Sequence, residues 1–485
     1  MGDDKGREID TDREMDEADC GSPAGDNQVG AIISSGPQNW QILQHSGGYG
    51  DIPLSGTWKV PPDLDISEGI DVCARMVEED SGLVILPWQA GSTAPDGTWR
   101  ITLRGIPAGG LYRLETCLHQ RINPDIEWSI RGDMRHHLGV GDVFLIAGQS
   151  NSAGYGKDVI LDPAEKGVHL LKNNGKWDMA SHPFNESSDT VHVVNREGGN
   201  PGSSPYLAFS RRLKTSLHYP IGLVQASLGG SSLAMWNPEE DGCLYRNAVQ
   251  IVKSCGPVRG VLWYQGCSDT GEKESMTYLA RFERMVSHFR NDLNQPDLPF
   301  LTVQLNRLTR GPAEDNGWGR LREAQRRAAK EIDGVYVVST TDLSLSDLIH
   351  ISSVGNLVLG ERLAATALKN IYKNPLGYDA PDLIEVKKTG ADELSLTFAP
   401  VSEKIYTYEL SAAEIPFCFE DEAGVLTSQS CRLKDPDTLL FRLDRPIQGE
   451  CFVSGASAQN PTGITPVDFA THCPVLSFYR AAVLE

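Results

Sequence analysis

The chain reads as an α/β protein whose parallel-sheet core is preceded and followed by β-rich segments. Three observations carry that reading. The run Val143-Phe144-Leu145-Ile146-Ala147 leads straight into Gly148-Gln149-Ser150-Asn151, as a strand buried on both faces does before a turn. From Gly141 to about Tyr372, apolar strand-like runs alternate with helical patterns, the order that implies a parallel sheet covered by helices. Before Gly141 and after Asn374-Pro375 the texture changes to short apolar runs separated by turn clusters, with no helical period of comparable length.

The elements follow in chain order. Residues 1–37 are charged and free of aromatics, with Asp3, Asp4, Glu8, Asp10, Asp12 and Glu14, and are expected to be a disordered acidic tail. Residues 38–138 are expected to form an N-terminal β-sandwich, with strands near 70–77, 83–88, 99–103 and 111–116 and a turn at Ala94-Pro95-Asp96-Gly97. Within it, Trp99-Arg100-Ile101-Thr102-Leu103 alternates with the period of a half-buried strand. The core is assigned to 139–374. Its expected strands are 143–147, 221–226, 258–264, 300–305 and 335–339, and its expected helices 205–217, 276–293, 321–332 and 354–371. The helix over 276–293 is the clearest, because Leu279, Phe282, Met285, Val286, Phe289 and Leu293 share one face. The segment 157–200, rich in Gly, Asn and Ser, is read as a surface excursion beside the site. Residues 375–485 are read as a second β domain, with strands near 383–388, 394–398, 405–410 and 438–443.

Composition narrows the function. A chain of 485 residues exceeds one ordinary core. Its net charge of −21 argues against nucleic acid or an anionic membrane as partner and suits a neutral or weakly charged ligand. No stretch approaches the ~20 consecutive apolar residues of a membrane span. The acidic start has no apolar core of a secretory signal, so the expected location is cytoplasmic. Ten cysteines lie scattered without C-x-x-C pairs or zinc spacing, which predicts reduced thiols and neither a metal site nor a cofactor. The sequence assigns no oligomeric state.

Ser150 is placed just past a strand's carboxyl end, where open parallel sheets collect their catalytic groups. A lone Gly-x-Ser is a weak signal. It gains weight from what else stands at strand ends, because a serine hydroxyl needs a base, an acid to orient the base, and donors for the developing oxyanion. The base candidate is His350 in Asp347-Leu348-Ile349-His350, where the three-residue spacing lets Asp347 reach the imidazole; alone, that pattern also fits a helix-capping turn. Gly229-Gly230, in the loop after the second predicted strand, brings backbone N–H groups near a ligand without a Cβ in the way. Gln265, at the end of the third, offers a carboxamide donor.

Four blocks in order, Gly148-Gln149-Ser150-Asn151, Gly229-Gly230-Ser231…Trp236, Trp263-Tyr264-Gln265-Gly266-Cys267-Ser268 and Asp347…His350, resemble those of the SGNH-hydrolase superfamily. The branch they resemble is the sialate O-acetylesterase-like carbohydrate esterases, and the resemblance extends from about Trp40 to the end of the chain. It implies a flavodoxin-like SGNH core flanked by N-terminal and C-terminal β-sandwich domains. It implies Ser150 as nucleophile, His350 as general base and Asp347 as its orienting acid. Oxyanion donors would be the backbone N–H of Ser150, a glycine N–H from Gly229 or Gly230, and the Gln265 side chain, with Gln149, Asn151 and Trp236 shaping the substrate pocket. The implied activity is removal of O-acetyl groups from a mono- or oligosaccharide, sialic acid or an acetylated plant oligosaccharide. Two departures stand out: Cys267 replaces the family's usual Glu, and Ile351 follows His350 where a proline is common. They keep two rivals open, a catalytically impaired carbohydrate-binding protein and an SGNH esterase of another substrate class.

Overall fold

The computed structural model describes residues 29–310 and 316–484. Most of the expected acidic tail lies outside the described residues, but its end does not. Residues 30–35 form strand β1 (Gly30–Ser35), paired antiparallel with β3 (Tyr49–Lys59). This corrects the expectation of a tail through residue 37. The run Ala31-Ile32-Ile33 is too short for its period to stand out until the partner strand is known.

Between them lies β2 (Ile42–Gln44), and β4 (Ile70–Glu78), β5 (Val84–Ala90), β6 (Ser92–Thr93), β7 (Thr98–Pro107) and β8 (Gly109–Gln120) follow. One sheet has the order β1-β3-β7-β6, while β5, β4 and β8 pair in series. Both sheets bury one face in a shared apolar cluster that includes Ile33, Leu54, Val72, Met76, Trp99, Leu103 and Leu114. Along β7, Trp99, Ile101 and Leu103 point inward and Arg100 and Thr102 alternate with them, as the period-two pattern requires.

The next strand, β9 (Ile130–Gly148), runs for 19 residues and belongs to two sheets. Its first half pairs antiparallel with β8. From Asp142 onward it pairs parallel with β12 (Ile221–Gln225) on one side, and from Phe144 with β13 (Gly260–Tyr264) on the other. A single strand therefore crosses the expected boundary at residue 138, with no linker. The parallel sheet has the order β10-β12-β9-β13-β14-β15, with β10 (Val168–Leu171), β14 (Phe300–Val303) and β15 (Val335–Val338), and β11 (Trp177–Met179) adds an antiparallel edge. Both β10 and β11 lie in the segment read as a surface excursion. All four residues of β10 are buried, so that expectation is corrected: a four-residue run beside Gly167 is too short to announce itself in sequence.

Seven helices cover the parallel sheet among the described residues: α1 (Ser150–Ala153), α2 (Tyr206–Leu217), α3 (Leu233–Trp236), α4 (Cys243–Cys255), α5 (Glu272–Asp292), α6 (Gly317–Glu331) and α7 (Ser353–Asn370). The helix α4 is not among those expected from the sequence. On α5 the predicted stripe does the packing, with Phe282, Met285, Val286 and Phe289 buried in the main core.

The last region carries β16 (Asp382–Gly390), β17 (Glu393–Ala399), β18 (Ile405–Tyr406), β19 (Phe417–Asp421), β20 (Gly424–Leu426), β21 (Ser428–Asp435), β22 (Thr438–Leu443), β23 (Cys451–Gly455), β24 (Val467–Asp468) and β25 (Phe478–Ala482). Two sheets, β16-β17-β22-β21 and β20-β19-β23-β25, enclose a separate apolar cluster with Leu396, Phe417 and Phe441. Polar contacts seat this region on the core. Gln304 donates to Ser477 O and accepts from Ser477 N, both at 2.8 Å. Arg322 of α6 is fully buried and donates to the carbonyls of Leu305, Asn306, Ala456 and Ala458 at 2.5–3.0 Å. Burial pushes this guanidinium down to about 9, and these carbonyls satisfy its donors. Arg322→Leu strands the Leu305 and Ala458 carbonyls, while Trp318 and Ser477 still donate to those of Asn306 and Ala456, so urea denaturation is expected to show a loss of about 3 kcal/mol of stability.

Candidate active site

The carboxyl ends of β9, β12, β13 and β15 converge on one edge of the parallel sheet. At that edge Gly148 has φ +129°, and a Cβ there would lie 2.2 Å from the carbonyl oxygen of Tyr264 on β13. Glycine is what lets β9 turn so close to its neighbour. The turn ends at Ser150, the first residue of α1, where a backbone N–H has no carbonyl one turn earlier to bond.

Three side chains meet here. The Ser150 hydroxyl is 2.9 Å from His350 Nε2, and His350 Nδ1 is 2.6 Å from Asp347 Oδ2. Asp347 Oδ1 accepts from the backbone N–H groups of Ile349 and His350, both at 2.8 Å. Partial burial raises the Asp347 pKa, but the His350 ring and the two N–H groups outweigh it and hold the carboxyl below its usual range. Asp347 stays anionic while its side chain is 47 % exposed. With Nδ1–H donating to Asp347, Nε2 is left to accept from the serine. Chemically this line offers a hydroxyl, an imidazole to accept its proton and a carboxylate to orient the imidazole.

The glutamine and glycine donors expected around this trio have partners of their own in the structure. Gln265 is fully buried; its Nε2 donates to Asp269 Oδ2 at 2.6 Å and to Ser231 O at 3.2 Å, and its Oε1 accepts from Tyr278 at 3.0 Å. Both N–H groups of the Gln265 amide are thereby engaged inside the core. Asp269, an acceptor also held by Leu233 N and Arg281, draws the amide inward. The Gly229 N–H donates to the carboxylate of Glu197 at 2.9 Å. Gly230 sits at φ +70°, and its carbonyl accepts from the Ser268 hydroxyl at 3.2 Å.

The three residues expected against substrate each hold neighbouring parts of the chain. Gln149 is buried, and its Oε1 accepts from the N–H groups of Gly266 at 2.9 Å and Ser268 at 3.4 Å, tying the first block to the third. Asn151 accepts from Ile351 N at 2.9 Å and donates to Ile349 O at 3.3 Å, so it grips the backbone on both sides of His350. Asn306 Nδ2 also donates to Ile349 O, at 2.6 Å. Trp236 is fully buried, packs edge-on against Trp263 at 5.3 Å, and donates to Ser231 Oγ, which bonds Gly148 O. Their chemistry-like motif positions reflect polar groups that must be satisfied inside the core.

Two residues that the motifs did not single out stand at the site. The Tyr155 ring stacks on the His350 imidazole, 4.7 Å between centroids at 27°. Burial, with the Glu197 carboxylate nearby, pushes its phenol pKa up. Tyr155 lies five residues after the nucleophile candidate, the one sequence signal that could have found it. Glu197 carries none, because the long segment before it hides its position. Cys267 lies beneath, a thiol that burial pushes up to about 12. It cannot serve as the acid for His350, and Asp347 holds that place.

Residues 140–369 match the family model described as carbohydrate esterase, sialic acid-specific acetylesterase. The chain is 30% identical over 250 residues to a probable carbohydrate esterase of Arabidopsis thaliana, a match covering 47% of this chain and 90% of that protein. It is 23% identical over 303 residues to the sialate O-acetylesterase of Mus musculus, and there it spans 53% of the relative's length. The chain belongs to this carbohydrate esterase family. A solved carbohydrate acetylesterase from Xanthomonas citri shares the fold beyond the family segment: it superimposes with a TM-score of 0.63 at 20% identity, covering 92% of this chain and 99% of that one.

Two substitutions test the geometry. Asn151→Ala frees the backbone around His350, and kcat is expected to fall about 10- to 100-fold with KM little changed. For Asp347→Asn the stability difference from wild type is expected to track the carboxylate. A depressed folded pKa stabilises above the unfolded value, and that contribution is lost as pH falls through the folded one. The two proteins should therefore differ at neutral pH and converge below about pH 3, read from denaturation midpoints across pH.

Proposed function

We propose that this protein is a serine-dependent O-acetylesterase acting on an acetylated carbohydrate, built on an SGNH-type core with flanking β-sandwiches. The observation that carries this reading is the aligned chain Ser150–His350–Asp347, with 2.9 and 2.6 Å separations, in a member of the carbohydrate esterase family. The reading assigns each group a step. His350 Nε2 takes the proton as Ser150 Oγ attacks the acetyl carbonyl carbon. The Ser150 N–H holds the oxyanion. His350 returns the proton to the departing sugar hydroxyl, leaving an acetyl-enzyme. Water, deprotonated by His350, then releases acetate and restores the serine.

A cleft of about 650 Å³ beside the second and third blocks is lined by Ser232, Ser268, Glu239, Glu240, Lys273 and Arg281 among others and does not include Ser150 or His350; its hydrogen-bonding side chains suit a hydroxyl-rich sugar extending from the site. Sialic acid and acetylated plant oligosaccharides are the substrate classes to compare. The intact hydrogen bond that His350 donates to Asp347 favours an active enzyme over a decayed binding protein.

The test is acetate release from 4-nitrophenyl acetate and a panel of acetylated sugars, in chelator. Wild type is expected to turn over, and Ser150→Ala to lose about 10⁴-fold or more in kcat. Equal rates for the two would remove the serine mechanism, and preference for octanoyl over acetyl esters would remove the sugar substrate.

A further inference from the structure

Glu197 holds the backbone N–H of Gly229, a donor that the esterase reading expects an acyl transfer to use. Its Oε2 accepts from Gly229 N at 2.9 Å and from Asn185 Nδ2 at 3.2 Å, and its Oε1 accepts from Gly199 N at 3.1 Å. The Tyr155 ring, whose phenol pKa the Glu197 carboxylate helps to raise, stacks against His350. The Gly229 turn is itself pinned to the nucleophile's strand, since Leu228 N and the Ser231 hydroxyl both donate to Gly148 O, at 3.1 and 3.2 Å. The carboxylate is thereby tied, through Gly229, to the serine's turn.

We propose that Glu197 is an anionic gate on the acyl site, a specificity-determining residue that must leave Gly229 before an ester carbonyl can use that N–H. This rests on the serine-esterase reading above. A carboxylate and a tetrahedral oxyanion both need the same donor, so the Glu197 carboxylate competes with the transition state directly. Nearby, Lys157 donates to Asn200 O and lies 5.1 Å from the Tyr155 ring centroid. The gate has room to open. Glu197 also borders a cleft of about 420 Å³ lined by Glu186, Ser188, Arg196 and Asn200, where Arg196 offers the carboxylate a cationic partner. A substrate whose sugar engages this cleft edge draws Glu197 away and frees Gly229. A small ester with no sugar does not. The gate therefore favours acetylated carbohydrates over simple acetyl esters.

The experiment compares kcat/KM on 4-nitrophenyl acetate and on an acetylated oligosaccharide for wild type, Glu197→Ala, Glu197→Gln and Glu197→Asp, each with and without Ser150→Ala. Removing the gate is expected to raise Ser150-dependent turnover of 4-nitrophenyl acetate by between about 10- and 1000-fold in Glu197→Ala. The gain should be smaller in Glu197→Gln, which keeps an acceptor, and in Glu197→Asp, which keeps the charge on a shorter arm. The oligosaccharide should gain less than the small ester in every variant. Ser150-dependent turnover that stays level or falls in all three variants overturns the gate alone and makes Glu197 a brace for Gly229. A chain inert in every form overturns the gate and the esterase reading together.

Discussion

The strand β9 has to satisfy two sheets at once, and the rest of the molecule depends on that constraint. Its first half completes a sheet of the N-terminal β region, and its second half is the central strand of the parallel sheet. A slip of one residue would turn every side chain to the other face in both sheets, so the register is doubly determined. Gly148 ends this strand against the Tyr264 carbonyl, at a separation that excludes any side chain. The direction in which Ser150 leaves the sheet follows from that contact.

Around the serine, the buried polar groups act as fasteners. Gln149 joins the first block to the third, Ser231 joins the second to the first, and Asn151 with Asn306 frames the turn that carries His350. None of them has water to fall back on, so each bond is costly to leave unmade and the geometry is held closely. The C-terminal β region contributes to the same frame. Arg322 bonds Asn306 O and the Ala456 and Ala458 carbonyls together, which places that region as a buttress under the histidine turn.

The acid of the trio sits in a different environment from its partners. Asp347 is half exposed on a short turn and owes its depressed pKa to three local hydrogen bonds, within four residues of itself. That arrangement needs nothing from the third block, so a cysteine at position 267 leaves the relay intact. The other carboxylate at the site, Glu197, arrives from far along the chain through a segment that also supplies two buried edge strands. Inserted length has here brought a charged group to the serine's turn.

Local chemistry made much of this legible before any coordinates. The apolar run 143–147, the stripe on α5, the alternation along β7 and the Asp-x-x-His spacing each follow from periodicity or reach within a few residues. Strands too short to show a period, β1 and β10 among them, depended on partners distant in sequence. The same holds at the site. Sequence alone determined which residues could be nucleophile, base and acid, because those are properties of side-chain type and local spacing. Tertiary structure decided where every donor points: Gln265 turns inward because Asp269 lies behind it, Trp236 braces Ser231, and Gly229 faces Glu197 rather than open space. A hydrogen bond is committed by whichever partner folding brings within about 3 Å, and those partners lie tens of residues away.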